Sequence, residues 1–238
     1  MKIALIGYGK MGRAIEEIAL QRGHEIVLKV NIDNLEDNTI ENIRKADVAI
    51  EFSGPESAFE NLHRCLDAGV PVVSGSTGWL AKLDTIKQKC IDLNGSFLYA
   101  SNFSIGVNIF FAVNSRLAEL MAPHPQYDVT IKEIHHTQKL DAPSGTAISL
   151  AEQVLAHSQS KKNWKNDPSS NSSDLYIESE RIDPAPGTHF VKYESPVDTI
   201  EIIHTAHNRQ GFASGAVLAA EYIAGRKGIF TMKDVLGI

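Results

Sequence analysis

Residues 133–147 read EIHHTQKLDAPSGTA and bring two histidines, a lysine and a helix-opening Ser-Gly-Thr into one short segment. A histidine has an ordinary pKa of about 6.5, so His135 or His136 could give up a proton near neutral pH. Lys139 adds a cation beside them. Past Pro143, the apolar residues Ala147, Leu150, Ala151, Val154 and Leu155 recur at helical spacing, which predicts an amphipathic helix capped by Ser144. The free N–H groups of Gly145 and Thr146, with the Thr146 hydroxyl, would then face a carboxylate at the positive end of the helix dipole. Proton donor, cation and anion cradle together suit protonation chemistry on a small acidic substrate.

The segment leading into these residues, YDVTIKEIHH, alternates as a strand. Val129, Ile131, Glu133 and His135 fall on one face and Thr130, Lys132, Ile134 and His136 on the other. Divergent histidines do not share one metal ion, and no third ligand stands at a useful spacing, so no metal is expected. His204 and His207, in HTAH, have a spacing that suggests a metal pair, but no acid or cysteine completes it and they read as packing.

A second chemical motif lies near residue 10. Gly7, Gly9 and Gly12 form GxGxxG directly after the apolar run KIALIG and at the start of KMGRAIEEIALQRG, where Met11, Ile15, Ile18 and Ala19 have helical spacing. Placed there, the glycines permit a tight turn, close approach of a pyrophosphate and packing of helix on strand. Asp33 follows Gly12 at about the 20-residue distance where an acid meets the ribose hydroxyls of a dinucleotide. No arginine adjoins Asp33, which leans toward NADH over NADPH, although Lys29 or Arg13 could still meet a 2′-phosphate.

The elements that must hold these groups alternate through the first hundred residues. KIALIG, HEIVLKVNID, ADVAIEFS, VPVVSGSTG and SFLYAS read as strands, separated by helical segments that include PESAFENLHRCLDAG and a stretch around residues 80–93. Strands separated by helices imply right-handed crossovers and a parallel sheet. The turns FSGPES and GSTGW follow strand ends on the edge where an open α/β sheet takes its ligands. Beyond them come a helix near residues 107–121, the strand and helix around the histidines, and HSQSKKNWKNDPSSNSSD at residues 157–174. That last stretch is polar and aperiodic, and reads as a mobile, solvated loop with three lysines.

Bulk properties exclude several function classes. The 238 residues carry 23 Lys and Arg against 29 Asp and Glu, so no global positive field exists to hold nucleic acid or an anionic membrane. Cys65 and Cys90 lack CxxC or histidine spacing and read as buried thiols. The first residues lack a signal-peptide core and no later apolar run approaches about 18 residues, so a cytoplasmic location is expected.

EIHHTQKLDAPSGTA closely resembles the substrate signature of the 4-hydroxy-tetrahydrodipicolinate reductase (dihydrodipicolinate reductase) family. The resemblance continues through GYGKMGR, DVAIEFSGPES, GSTGW, ASNFSIGVN and IEIIHTAHNRQGFASGAVLAAEYIAG, and so covers most of the chain. It implies NADH- or NADPH-dependent reduction of a hydroxylated cyclic dicarboxylate with loss of water, on the diaminopimelate route to lysine. His135 would be the catalytic acid, Lys139 its charged partner, and His136, Ser144, Gly145 and Thr146 substrate contacts. The cofactor would lie against Gly7, Gly9, Met11, Gly12 and Asp33, with Ser53, Gly75, Thr77, Ala100, Asn102 and Phe103 along its nicotinamide half. The implied fold is α/β: a Rossmann-type parallel-sheet domain formed by residues 1–103 and 209–238, and an inserted α/β domain, residues 104–208, with an open mixed sheet that binds substrate and forms a homotetramer. Hinges are expected near Ser104 and Arg209.

Three departures from the family pattern stand out. Ile6 takes the place of the first glycine of a usual GxxGxMG, Ser76 replaces a threonine of GTTG, and Arg181-Ile182-Asp183 precedes GTH without the usual arginine-glycine spacing. Two other readings use the same residues. One is a different NAD(P)-dependent dehydrogenase on the same plan, which leaves the full HHxxKxDAPSGTA string unexplained; the other is a catalytically silent NADH sensor.

Overall fold

KIALI forms β1 (Lys2–Ile6), in which four of five residues are buried. Glycines then turn the chain into α1 (Lys10–Gln21), which buries Gly12, Ile15 and Ala19 on one face. The pattern repeats through β2 (Glu25–Val30), a short α2 (Ile40–Ile43), β3 (Val48–Glu51), α3 (Pro55–Asp67), β4 (Val72–Ser74), α4 (Leu83–Asp92) and β5 (Ser96–Tyr99). Pro55 starts α3, where its missing N–H costs nothing.

The chain continues into α5 (Ile105–Met121), β6 (Asp128–His135), α6 (Gly145–His157), β7 (Asn163–Lys165), β8 (Asp174–Arg181), β9 (Thr188–Glu194) and β10 (Thr199–Thr205). It ends with α7 (Gln210–Ile223), β11 (Gly228–Phe230) and α8 (Met232–Leu236). The computed structural model describes every residue except Arg209, so the hinge expected there lies outside the described residues. Two units result, Met1–Ile105 with Gln210–Ile238, and Gly106–Arg209.

In the first unit six strands run parallel in the order β11-β5-β4-β3-β1-β2. Alternate strand residues point to opposite faces, and both faces are covered. Ala4, Ile6, Ala49, Val72 and Phe97 pack with Leu62 and Leu66 of α3, whereas Ile3, Leu5, Ile50, Val73 and Leu98 pack with Ile15 of α1 and Ala216, Val217 and Ala220 of α7. Small residues let α7 sit close to its neighbours. A Cβ on Gly215 would stand 1.7 Å from the Phe103 carbonyl oxygen.

The second unit holds a five-stranded mixed sheet in the order β10-β9-β6-β8-β7. β6 is its centre, parallel to β8 and antiparallel to β9. One face packs Val129, Ile131, Ile177 and Val191 against Phe110 of α5 and Leu150 and Val154 of α6. The opposite face, with Thr130, Lys132, Ile134, Tyr176 and Phe190, borders a groove of about 400 Å³.

The polar stretch at 157–174 is more ordered than its composition suggests. It contains β7, and Lys161 is buried, pairing with Asp128 at 2.7 Å and donating to the Ser172 and Asp174 carbonyls. One lysine tying three partners together fixes the segment where hydropathy alone reads solvent. No described helix is long and apolar enough to cross a membrane.

Candidate active site

Two groups of candidate residues emerge, one in each unit. In the first unit the strand ends border a cleft of about 690 Å³ lined by Gly7, Tyr8, Gly9, Asn31, Asn38, Ser53, Asn61 and Arg64, among others. Gly7 has φ +97°, and a Cβ there would fall 2.1 Å from the Phe52 carbonyl oxygen. Gly12 lets α1 close on the turn, since its Cβ would meet the Gly7 carbonyl oxygen at 2.5 Å. Gly9 caps α1 without a side chain, which leaves the first-turn N–H groups open toward an anion. The Asn38 side-chain oxygen, in the lining, is buried and has no hydrogen-bond partner among the described residues. A cradle of this kind fits a dinucleotide.

Other expected cofactor contacts have different surroundings. Met11 packs partly buried against the α1–α7 side of the sheet, as does Ala100. Asp33 is exposed in a short helical turn after β2, and Thr77 is also exposed. Gly75 has the Phe52 ring where its Cβ would be, and that ring lies 5.5 Å from Phe103, itself a buried core residue. The side-chain oxygen of Asn102 accepts from the Ser104 N–H at 2.8 Å.

Glu51, unremarked in the sequence, ties this surface together. It is fully buried at the end of β3 and accepts from the Ser53 N–H at 2.9 Å, the Ser74 hydroxyl at 2.6 Å, the Ser76 hydroxyl at 2.8 Å and the Ser53 hydroxyl. Thus Ser76, at the departure from GTTG, serves the carboxylate that joins the FSGPES and GSTG turns. Lys29, considered above for a 2′-phosphate, is paired with Glu16 at 2.5 Å, and Tyr8 donates to the same carboxylate. That pairing holds the Glu16 carboxyl below its usual range and raises the Lys29 ammonium above its own.

In the second unit three neighbouring strands deliver the chemistry. β6 carries Glu133 and His135; register places His189 of β9 and Ser179 of β8 opposite Glu133, and Arg181 of β8 opposite His135. Glu133 is fully buried. Its carboxylate accepts from the Ser144 N–H at 3.1 and 3.2 Å, the Ser179 hydroxyl at 2.8 Å and Arg181 Nη2 at 3.1 Å. His135 Nε2 lies 3.4 Å and His189 Nε2 3.7 Å from its other oxygen. Burial alone would raise the Glu133 carboxyl, but hydrogen bonds from His135, His189, Ser144 and Ser179 outweigh it and hold the group well below the usual carboxylate range. Burial pushes His189 the other way, favouring the neutral ring despite Glu133.

His135 and His189 meet edge to face, with their Nε2 atoms 3.3 Å apart. The outer edge of His135 is left clear by Gly187, whose Cβ would lie 2.8 Å from the ring. The Asp183 departure has a role of its own: its carboxylate accepts from the Thr137 N–H and hydroxyl, which joins the 182–187 turn to the segment after His136.

Ser144 caps α6 as expected, accepting from the Ala147 N–H at 3.2 Å. Its own N–H is committed to Glu133, so the groups at the helix start left to face a ligand are those of Gly145 and Thr146. Lys139 pairs with both oxygens of Asp141 at 2.7 Å. His136 leaves the strand half-buried, turned away from the Glu133 cluster by the alternation. His204 packs its ring 5.8 Å from Phe110. Sequence alone missed His189, Arg181 and Ser179, which pairing brings from 46 to 54 residues away.

Models of the dihydrodipicolinate reductase N-terminus and C-terminus match residues 1–103 and 106–236. The chain belongs to the dihydrodipicolinate reductase family. A relative of this family from Christiangramia forsetii, named 4-hydroxy-tetrahydrodipicolinate reductase, is 50% identical, with 99% of this chain and 98% of the relative aligned. One of the same name from Neisseria meningitidis serogroup B is 29% identical, covering 100% of this chain and 98% of its own. The fold is also that of a dipicolinate-bound dihydrodipicolinate reductase from Paenisporosarcina sp. TG-14, with TM-score 0.78 at 24% identity over 97% of both chains. As the family implies, a Rossmann-like parallel sheet and a second, mixed sheet make up this reductase-family chain.

Proposed function

We propose that the chain reduces 4-hydroxy-tetrahydrodipicolinate to tetrahydrodipicolinate, with loss of water and consumption of a reduced nicotinamide cofactor, in lysine biosynthesis through diaminopimelate. The observation that carries this reading is the 50% identity over the whole chain to a relative of that name, with His135, Lys139 and the Ser144–Thr146 helix start all present. A nicotinamide cofactor held in the glycine-lined cleft of the first unit would supply hydride to the conjugated imine of the dehydrated substrate. Electron density then moves toward the ring nitrogen, and the resulting anion takes one proton to become an enamine, which tautomerises to the imine product.

His135 gives that proton, with Glu133 orienting the ring through Nε2 and Gly187 keeping its outer edge open. Lys139 exchanges Asp141 for a substrate carboxylate and stabilises the developing charge. The N–H groups of Gly145 and Thr146, with the Thr146 hydroxyl and His136, hold the other carboxylate. Gly7, Gly9 and Gly12 shape the diphosphate cradle, Asp33 takes the ribose hydroxyls, and Ser53, Gly75, Thr77, Ala100, Asn102 and Phe103 form the nicotinamide side, with Met11 supporting the helix start. The division at residues 1–103 with 209–238 and 104–208 assigns cofactor to one domain and substrate to the other. The uncovered sheet face around Tyr176 and Phe190 supports a homotetramer, and the enzyme acts in the cytoplasm.

Loss of NADH absorbance on mixing the chain with pyruvate and aspartate semialdehyde condensed in situ tests the activity. Absence of oxidation with NADH still bound would return the chain to the sensor reading. NADH is the preferred cofactor because Glu16 occupies Lys29, the nearest cation on β2. Glu16→Gln is expected to raise the NADPH-to-NADH ratio of kcat/KM by about 2- to 5-fold, the range of a charge pair with one partner at the surface. An unchanged ratio would remove Lys29 from cofactor selection.

A further inference from the structure

We propose that Glu133, His135 and His189 form a three-ligand site for a divalent transition-metal ion of the zinc type, and that the bound ion blocks proton donation. Glu133 Oε2 lies 3.4 Å from His135 Nε2 and 3.7 Å from His189 Nε2, and the two nitrogens are 3.3 Å apart. Zinc binds imidazole nitrogen and carboxylate oxygen at about 2.0–2.2 Å, and tetrahedral angles then separate neighbouring ligand atoms by roughly 3.3–3.6 Å. The triangle already has nearly those edges, so an ion placed above it needs little movement of the three groups. All three are buried.

The donor set is two imidazoles and one carboxylate, the type that leaves a fourth position open. Ser144 Oγ, 3.2 Å from His189 Nε2, borders the cluster. Outer contacts hold the carboxylate in place: Ser179 and Arg181 engage Oε1, the Ser144 N–H spans both oxygens, and Oε2 faces the histidines. The Arg181 charge opposes a dication, which sets the expected affinity in the micromolar range. Metal on His135 Nε2 takes the lone pair that a second proton would need, so the ring cannot become the imidazolium that donates, and zinc acts as an inhibitor competitive with substrate. Inhibition rests on the reductase reading; binding does not.

Calorimetric titration of zinc into the full chain, freed of metal by a chelator, is expected to give one ion per chain. The cobalt(II) form should show the visible absorption of a four-coordinate site. His189→Gln should weaken binding by at least about 10²-fold, beyond what loss of an outer contact costs, while the exposed His124→Asn leaves it unchanged. Retained NADH binding and circular dichroism verify that His189→Gln is folded, and His135→Asn provides a second variant if it is not. Zinc binding that survives both ligand variants, or no binding at micromolar zinc, overturns the site. Binding as expected without inhibition of an active enzyme overturns the blocking role alone.

Discussion

His135→Ala and Lys139→Ala are each expected to lower kcat by at least about 10²-fold while NADH affinity stays within experimental error. A positioned general acid contributes about 10²- to 10⁴-fold, and solvent replaces it poorly once the ring nitrogen must be protonated at a set point in space. Lys139 has a double role, so its loss should also raise KM for the dicarboxylate. The ion pair with Asp141 supplies the reason: the ammonium is already directed by a carboxylate, and a substrate carboxylate can take that position with the same geometry. Steady-state kinetics alongside fluorescence titration of NADH separate the two effects. Unchanged turnover in either variant would remove that residue from the chemistry.

Glu133→Gln is expected to be the most damaging conservative change in the second unit. The buried carboxylate meets Arg181 and Ser179 on one side, the Ser144 N–H on both oxygens and two histidines on the other. An amide cannot accept at both ends, so Arg181 keeps a charge with no counter-charge and one donor meets an NH₂ group. Breaking a buried pair by removing one partner costs about 3–5 kcal/mol. Denaturant unfolding of wild type and variant measures it, and a loss below about 1 kcal/mol would contradict the assignment of Glu133 as the anchor.

The same carboxylate gives stability a pH dependence. Burial works against ionisation, but the hydrogen bonds prevail, so the folded-state pKa lies below the unfolded value of about 4.3. The Glu133 contribution is complete above that unfolded value and disappears as pH falls through the folded pKa. Wild type should therefore lose stability more steeply than Glu133→Gln between about pH 4 and lower values.

Most of the fold is legible in the sequence because its signals are local. Glycines followed apolar runs, Pro55 and Ser144 marked helix starts, and alternation through β6 separated His135 from His136. What it could not find depended on pairing. Nothing near Glu133 in sequence points to His189 or Arg181; only the order β9-β6-β8 brings them together. Glu51 was hidden for a related reason, since an acid inside an apolar strand gains meaning only when serines from the end of β4 and from two separate turns donate to it. Lys161 misled through composition, which counts a lysine as solvated whether or not buried partners await it.

The central position of β6 has a consequence for how activity arises during folding. Helices α5 and α6 can form from short-range contacts, but the Glu133 cluster requires β6 to join β8 in parallel and β9 in antiparallel register, closing loops of 46 to 54 residues. A slip of one residue would place Lys132 and Ile134 where Glu133 and His135 belong. A helical intermediate therefore has no partial version of this site, and recovery of catalysis on refolding marks the moment of correct strand alignment.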